Sequence, residues 1–150
     1  MGGDAVIDPL HRFEAEHEEA LAALARLEAA ALALRRGEPG APHLAAACAV
    51  HNLLTSAVKD HNESEERALF PLIGDGAPVA PFVEEHGALR ELERQLGLAL
   101  ASGAAGRVPA PALAIVDLLR AHIARENVVL FPLARELLGP AGLAEVARRL

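Results

Sequence analysis

Apolar residues recur every three or four positions along most of this chain, and the breaks in that rhythm mark out four long helices and a short tail. In the first helix Phe13, His17, Ala20, Leu24, Leu27, Ala31 and Leu34 form one stripe. Asp8-Pro9 opens it as N-cap and first helical residue, and Gly37 with Pro39-Gly40 closes it. Its polar face carries Glu16, Glu19, Arg26 and Arg36. The second helix begins near Pro42, with a stripe of Leu44, Cys48, His51, Leu54, Val58, His61, Glu65 and Ala68. Pro71 lacks a backbone donor and is expected to kink or end this helix near Phe70, ahead of a loop at Gly74-Asp75-Gly76 and Pro78. The third helix runs from Val79 or Pro81 to Ala101, with Phe82, His86, Leu89, Leu92 or Glu93, Leu96 and Leu100 inward. A Gly/Pro-rich linker from Ser102-Gly103 to Pro111 follows. The fourth stripe is Leu113, Val116, Leu119, Ile123, Glu126, Leu130 and Leu133, with His122 beside it. Gly139-Pro140 stops that helix, and Leu143, Val146 and Leu150 mark a short amphipathic tail. No stretch alternates as a strand would. Long helices with short links predict an all-α fold, an antiparallel up-down-up-down four-helix bundle spanning residues 1–150 as one domain.

Ionisable residues interrupt these stripes in a repeated way. His61 to Leu72 reads HNESEERALFPL and His122 to Leu133 reads HIARENVVLFPL, identical at six of twelve positions without a gap. Both are H-x-x-x-E-x-x-x-L-F-P-L. The spacing puts imidazole and carboxylate one turn apart on one helix face. A shorter echo precedes each copy: Phe13 to His17 and Phe82 to His86 both read F-x-x-E-H. The order is that of two helical hairpins related by a pseudo-twofold. A carboxylate buried in an apolar stripe is costly unless it is paired or ligating.

Composition narrows the function further. Hydrophobic residues make up 52% of the chain and aromatic ones only 3%, an Ala/Leu-rich balance that favours helices. A net charge of −7 with no basic stripe argues against a nucleic-acid partner. Arg26 and Glu28 break the most apolar run, so no membrane span is expected. Cys48 is the only cysteine, which excludes an intramolecular disulfide. Met1 to Leu10 shows neither a basic start nor an apolar segment of signal-peptide type, and the location expected is cytoplasmic.

Each long helix therefore contributes one inward histidine, and the second and fourth add a glutamate: His17, His61, Glu65, His86, His122 and Glu126. Neutral imidazoles bind Fe, Zn, Mn or Cu, and a carboxylate can bridge two ions. The symmetric arrangement sets His17 with His61 on one metal and His86 with His122 on the other, with Glu65 and Glu126 as bridges. Two divalent ions against two carboxylates leave positive charge over, which invites an oxo or hydroxo bridge. Each metal would keep one position open for a small ligand.

These motifs resemble the hemerythrin-like, or HHE cation-binding, family of non-haem di-iron proteins on a four-helix bundle. The resemblance extends from Phe13 to about Leu133. It implies two Fe ions, with Mn or Zn as substitutes, and chemistry with O2, NO or peroxide. In ligand set the chain is similar to the di-iron domain of iron–sulfur cluster repair proteins, without the cysteine-bearing N-terminal domain that usually accompanies it. It departs from the oxygen carriers of the family, which have H-x-x-x-H on the third helix. Four residues after His86 stands Arg90, which stays protonated and cannot ligate. The second H-x-x-x-E also replaces the carriers' H-x-x-x-x-D, so a sensor, scavenger or redox-reactive site is expected over a reversible carrier. A ferritin-like centre needs two E-x-x-H pairs, and Glu14 to His17 is the single instance.

The remaining polar residues have plainer readings. Ten residues separate His51 from His61, about 15 Å along a helix, too far for a shared ion. His51, His11 and His43 are read as structural, Cys48 as a small buried hydrophobe, and Phe70 and Phe131 as core plugs. Glu16, Glu18, Glu19, Glu63, Glu66, Glu84 and Glu85 are assigned to the solvated face, with Glu66 or Glu63 as the candidates for supporting a ligand. Arg90 is read as a surface cation that could hold an anion or pair with a carboxylate. Two functions compete: a di-iron protein that binds or reacts with a small diatomic or peroxide, and a metal- or redox-responsive sensing module without turnover.

Overall fold

A computed structural model describes residues 8–74 and 78–150. Residues 1–7, within the stretch inspected for a signal peptide, and Asp75 and Gly76 of the expected loop lie outside the described residues. The rest forms four long helices and a tail, with no strand among the described residues. Helix α1 spans Pro9–Arg35, and the Asp8 side chain caps it by accepting a hydrogen bond from the Leu10 amide at 2.9 Å. Helix α2 covers residues 40–73, α3 spans Ala80–Ala101, and α4 covers residues 109–138. Gly139 breaks the last helix with φ 60, a left-handed value suited to glycine, and a tail helix α5 follows over residues 140–149. Helix α1 packs between α2 and α4, and α3 packs against the same two, closing an antiparallel bundle.

The two LFP prolines do not end their helices. Helix α2 continues through Phe70–Ile73 and α4 through Phe131 and beyond. Each proline is preceded by a widened π turn, Glu65–Leu69 in α2 and Glu126–Leu130 in α4. A π turn already displaces the backbone bonds of the preceding α turn, so a missing N–H is accommodated there rather than breaking the helix. A third π turn, Leu54–Val58, has no equivalent in α4.

Upstream of that turn the buried face of α2 is rotated from the one expected. Ala47 and Val50 point inward, leaving Leu44 and His51 half-buried and Cys48 exposed. Cys48 is thus a surface thiol, not a core residue. Helix α3 resolves the alternative at its centre, burying Glu93 and leaving Leu92 partly covered.

Two apolar clusters divide the interior. One is built from Ala and Leu along α1 and from the first halves of α2 and α4, with Leu89, Leu96 and Ala99 of α3. The other gathers Leu10, Phe13, Phe70, Phe82 and Phe131, and α5 closes it with Leu143 and Val146. The residues between them on every helix are the polar ones.

Candidate metal centre

His17 lies between Phe13 and Ala20 on α1, His86 between Phe82 and Leu89 on α3, and the two His/Glu pairs occupy the same level on α2 and α4. All six predicted residues meet there. None is more than 6% exposed, so the cluster is buried. Ligand atoms of His17, His61, Glu65 and Glu126 all lie within 4.8 Å of one another, as do those of Glu65, His86, His122 and Glu126. The imidazoles sit in pairs, with ring centroids 4.7 Å apart for His17 and His61 and 4.9 Å for His86 and His122.

Both carboxylates span the two pairs. Glu65 Oε1 is 3.3 Å from His61 Nε2 and 3.5 Å from His86 Nε2. Glu126 Oε1 is 3.0 Å from His17 Nε2 and 3.4 Å from His122 Nε2. The Nε2 atoms of His61, His86 and His122, both oxygens of Glu65 and Oε2 of Glu126 are buried without a hydrogen-bond partner. Buried polar atoms are nearly always paired, and six orphans converging on one point fit cations that would take their lone pairs. Burial and the charge of Glu126 push the Glu65 carboxyl well above its usual range. Burial also opposes the charge on Glu126, but Glu65, His122 and His17 outweigh it and hold that carboxyl well below its usual range. Burial lowers His86. Burial also disfavours the His122 imidazolium, but Glu126 and Glu85 outweigh it and raise His122.

The outer nitrogens are held just as regularly. His61 Nδ1 donates to Glu16 at 3.0 Å, His86 to Glu66 at 3.1 Å and His122 to Glu85 at 3.1 Å. His17 Nδ1 donates to the amide oxygen of Asn127 at 2.7 Å. A proton fixed on Nδ1 leaves the Nε2 lone pair facing inward, the tautomer a ligand needs. Glu16, Glu66 and Glu85 are therefore not solvated-face residues; of the two glutamates named as candidates for a supporting role, Glu66 takes it and Glu63 pairs with Lys59 instead. The internal repeat held the clue, because Glu16 and Glu85 are the same letter of F-x-x-E-H. Asn127 follows Glu126 as Glu66 follows Glu65, yet nothing in an isolated asparagine marked it.

The four phenylalanines of the chain floor the site in the same symmetry. Phe131 stacks on His17 and Phe70 on His86, with ring planes 10° and 15° apart. Phe13 meets His61 and Phe82 meets His122 edge-on. The phenylalanines lie within the second apolar cluster, as core plugs do. On the opposite side a cavity of about 40 Å³ reaches His17, His61, His122 and Glu126 between Ala20 and Ala57.

Other histidines stand apart. His51 donates from Nε2 to the Glu93 carbonyl at 2.9 Å, close against Gly97, where a Cβ would come within 3.0 Å of that nitrogen. His11 and His43 sit beside surface carboxylates. Arg90 is exposed, and its charge offsets part of the upward push that burial gives Glu93. No helix among the described residues is long and apolar enough to cross a membrane.

Residues 8–146 match the sequence model of the Hemerythrin HHE cation binding domain, and the chain belongs to that family. Neither the curated proteins nor the solved structures compared with it give a match.

Proposed function

We propose that this member of the hemerythrin HHE family holds two iron ions and uses them to bind or react with a small diatomic or peroxide. His17 and His61 would hold one ion, His86 and His122 the other, and Glu65 and Glu126 would bridge them. The observation that carries this reading is the convergence of six buried, unpartnered Nε2 and carboxylate atoms, each bridging glutamate lying against one imidazole of either pair. Iron in such a nitrogen and oxygen set supplies reversible one-electron chemistry and a coordination position for a small ligand.

The chain's own residues supply the rest. Glu16, Glu66, Glu85 and Asn127 fix the imidazole tautomers. The phenylalanine floor excludes water from one side. The small, largely apolar cavity admits a group of two or three atoms from the other. Arg90 adds no ligand, which favours a reactive or sensing site over a reversible carrier. Aerobically purified protein should contain about two irons per chain and show the visible absorption of a bridged ferric pair, with spectral changes on adding NO or peroxide. One zinc per chain with a blank visible spectrum would overturn the proposal.

A further inference from the structure

We propose that the two half-sites are unequal, the His86/His122 half taking up the first metal and holding it, the His17/His61 half taking a second, exchangeable one. This rests on reading the six buried residues as a metal centre.

The first observation is a single break in an otherwise symmetric network. Three of the four imidazoles donate from Nδ1 to a carboxylate, and the fourth, His17, donates to the Asn127 amide. A carboxylate draws the Nδ1 proton toward itself, makes Nε2 a stronger donor and adds a negative charge near the ion. An amide orients the ring without that charge. Neighbouring arginines do not even out the difference. Arg12 lies 3.7 Å from Glu16 in one half, and Arg125 pairs with Glu85 in the other. Each half thus has one outer carboxylate with a guanidinium beside it, and what remains is Glu66 on one side against Asn127 on the other. The bridging carboxylates are common to both halves and cancel.

The second observation is access. The cavity is lined by both imidazoles of the His17/His61 half, where Ala20 and Ala57 leave room, but only by His122 and not His86 of the other half. In the register that sets His17 on His86 and His61 on His122, the equivalents of these two alanines are Leu89 and Leu118, both packed into the first apolar cluster. The half with the weaker donor set is also the half with the open flank. Affinity and exchange point the same way.

The test is an anaerobic titration of the metal-free chain with Co(II), followed by calorimetry and by the visible spectrum. Two steps are expected, the first about 10–100-fold tighter, the range typical of losing one outer partner of a ligating histidine. Asn127→Asp changes an amide to a carboxylate at constant size and should raise the second step toward the first. Glu66→Gln should lower the first toward the second. His86→Ala should abolish the tight step, and His17→Ala should leave it. A wild-type protein that takes up both equivalents in one step would overturn the proposal, as would steps whose spacing neither Asn127→Asp nor Glu66→Gln moves in variants of unchanged helical content. Those results would leave the metal centre standing, whereas no Co(II) uptake at all would remove it and the proposal together.

Discussion

The two hairpins of this bundle agree where they touch the polar layer and differ almost everywhere else. Phe13, Glu16 and His17 repeat as Phe82, Glu85 and His86, and His61, Glu65 and Phe70 repeat as His122, Glu126 and Phe131. In the same register Ala20 faces Leu89, Leu24 faces Glu93, Ala57 faces Leu118 and Asn127 faces Glu66. Apolar packing tolerates many solutions of the right volume, whereas a shared polar centre needs particular atoms at particular points. The two hairpins match at the second kind of residue, Asn127 against Glu66 excepted, and differ at the first.

The largest effect should come from the element that belongs to both hairpins equally. Glu126→Ala removes an oxygen lying against one imidazole of each pair, so metal content should fall from about two to near zero per chain, read by elemental analysis. A variant that retains one tightly held metal would show that the halves bind independently, against the bridging role.

Next comes the aromatic floor, where the hairpins look alike and should not be equal. Phe131 is fully buried and stacks on both His17 and Phe13, while Phe70 is 4% exposed, stacks on His86 and meets Phe82 only at a tilt. Phe131→Ala should cost about 3–5 kcal/mol in a denaturant titration of the metal-free protein, with Phe70→Ala costing less. Equal losses would make the floor as symmetric as the ligands.

The smallest effect should appear where the hairpins differ most plainly in chemistry. Glu93 occupies the place that Leu24 has in the first hairpin, and burial pushes its carboxyl up to about 7 from an ordinary 4.5. The folded chain thus binds this proton more tightly than the unfolded one. Its destabilising effect is absent below about pH 4.5, grows as pH rises toward 7, and is complete above that. Glu93→Leu should therefore raise stability by about 1 kcal/mol at pH 8, after allowing for solvent screening, with most of the gain gone at pH 5. A gain independent of pH would assign it to packing instead of charge.

Most of the fold was legible because stripe spacing, the Asp8-Pro9 start and the Gly37 and Gly139 stops are local signals. The six inward residues were legible because a repeat put ionisable groups where apolar ones belonged. Glu16 and Glu85 were hidden because a carboxylate one position off the stripe looks like any surface glutamate until the neighbouring helix brings an imidazole to it. Cys48 was misplaced for a related reason. A 3–4 residue rhythm fixes that a helix is amphipathic but leaves its rotation uncertain by about one position, and a non-α turn at Leu54–Val58 adds to that uncertainty.

The widened turns also decide which residues share the inner face of a helix. Residues five apart, such as Glu65 and Phe70, would point about 140° from each other on a regular α-helix, yet both are buried here and at Glu126 and Phe131. A π turn is what a helix becomes when one residue is inserted without breaking it. Glu65–Leu69 and Glu126–Leu130 hold that extra residue at the same place in both hairpins, so a carboxylate of the polar layer and a phenylalanine of its floor share the inner face of each helix. Leu54–Val58 adds an extra residue to α2 with no counterpart in α4, and upstream of it the buried faces of the two helices differ.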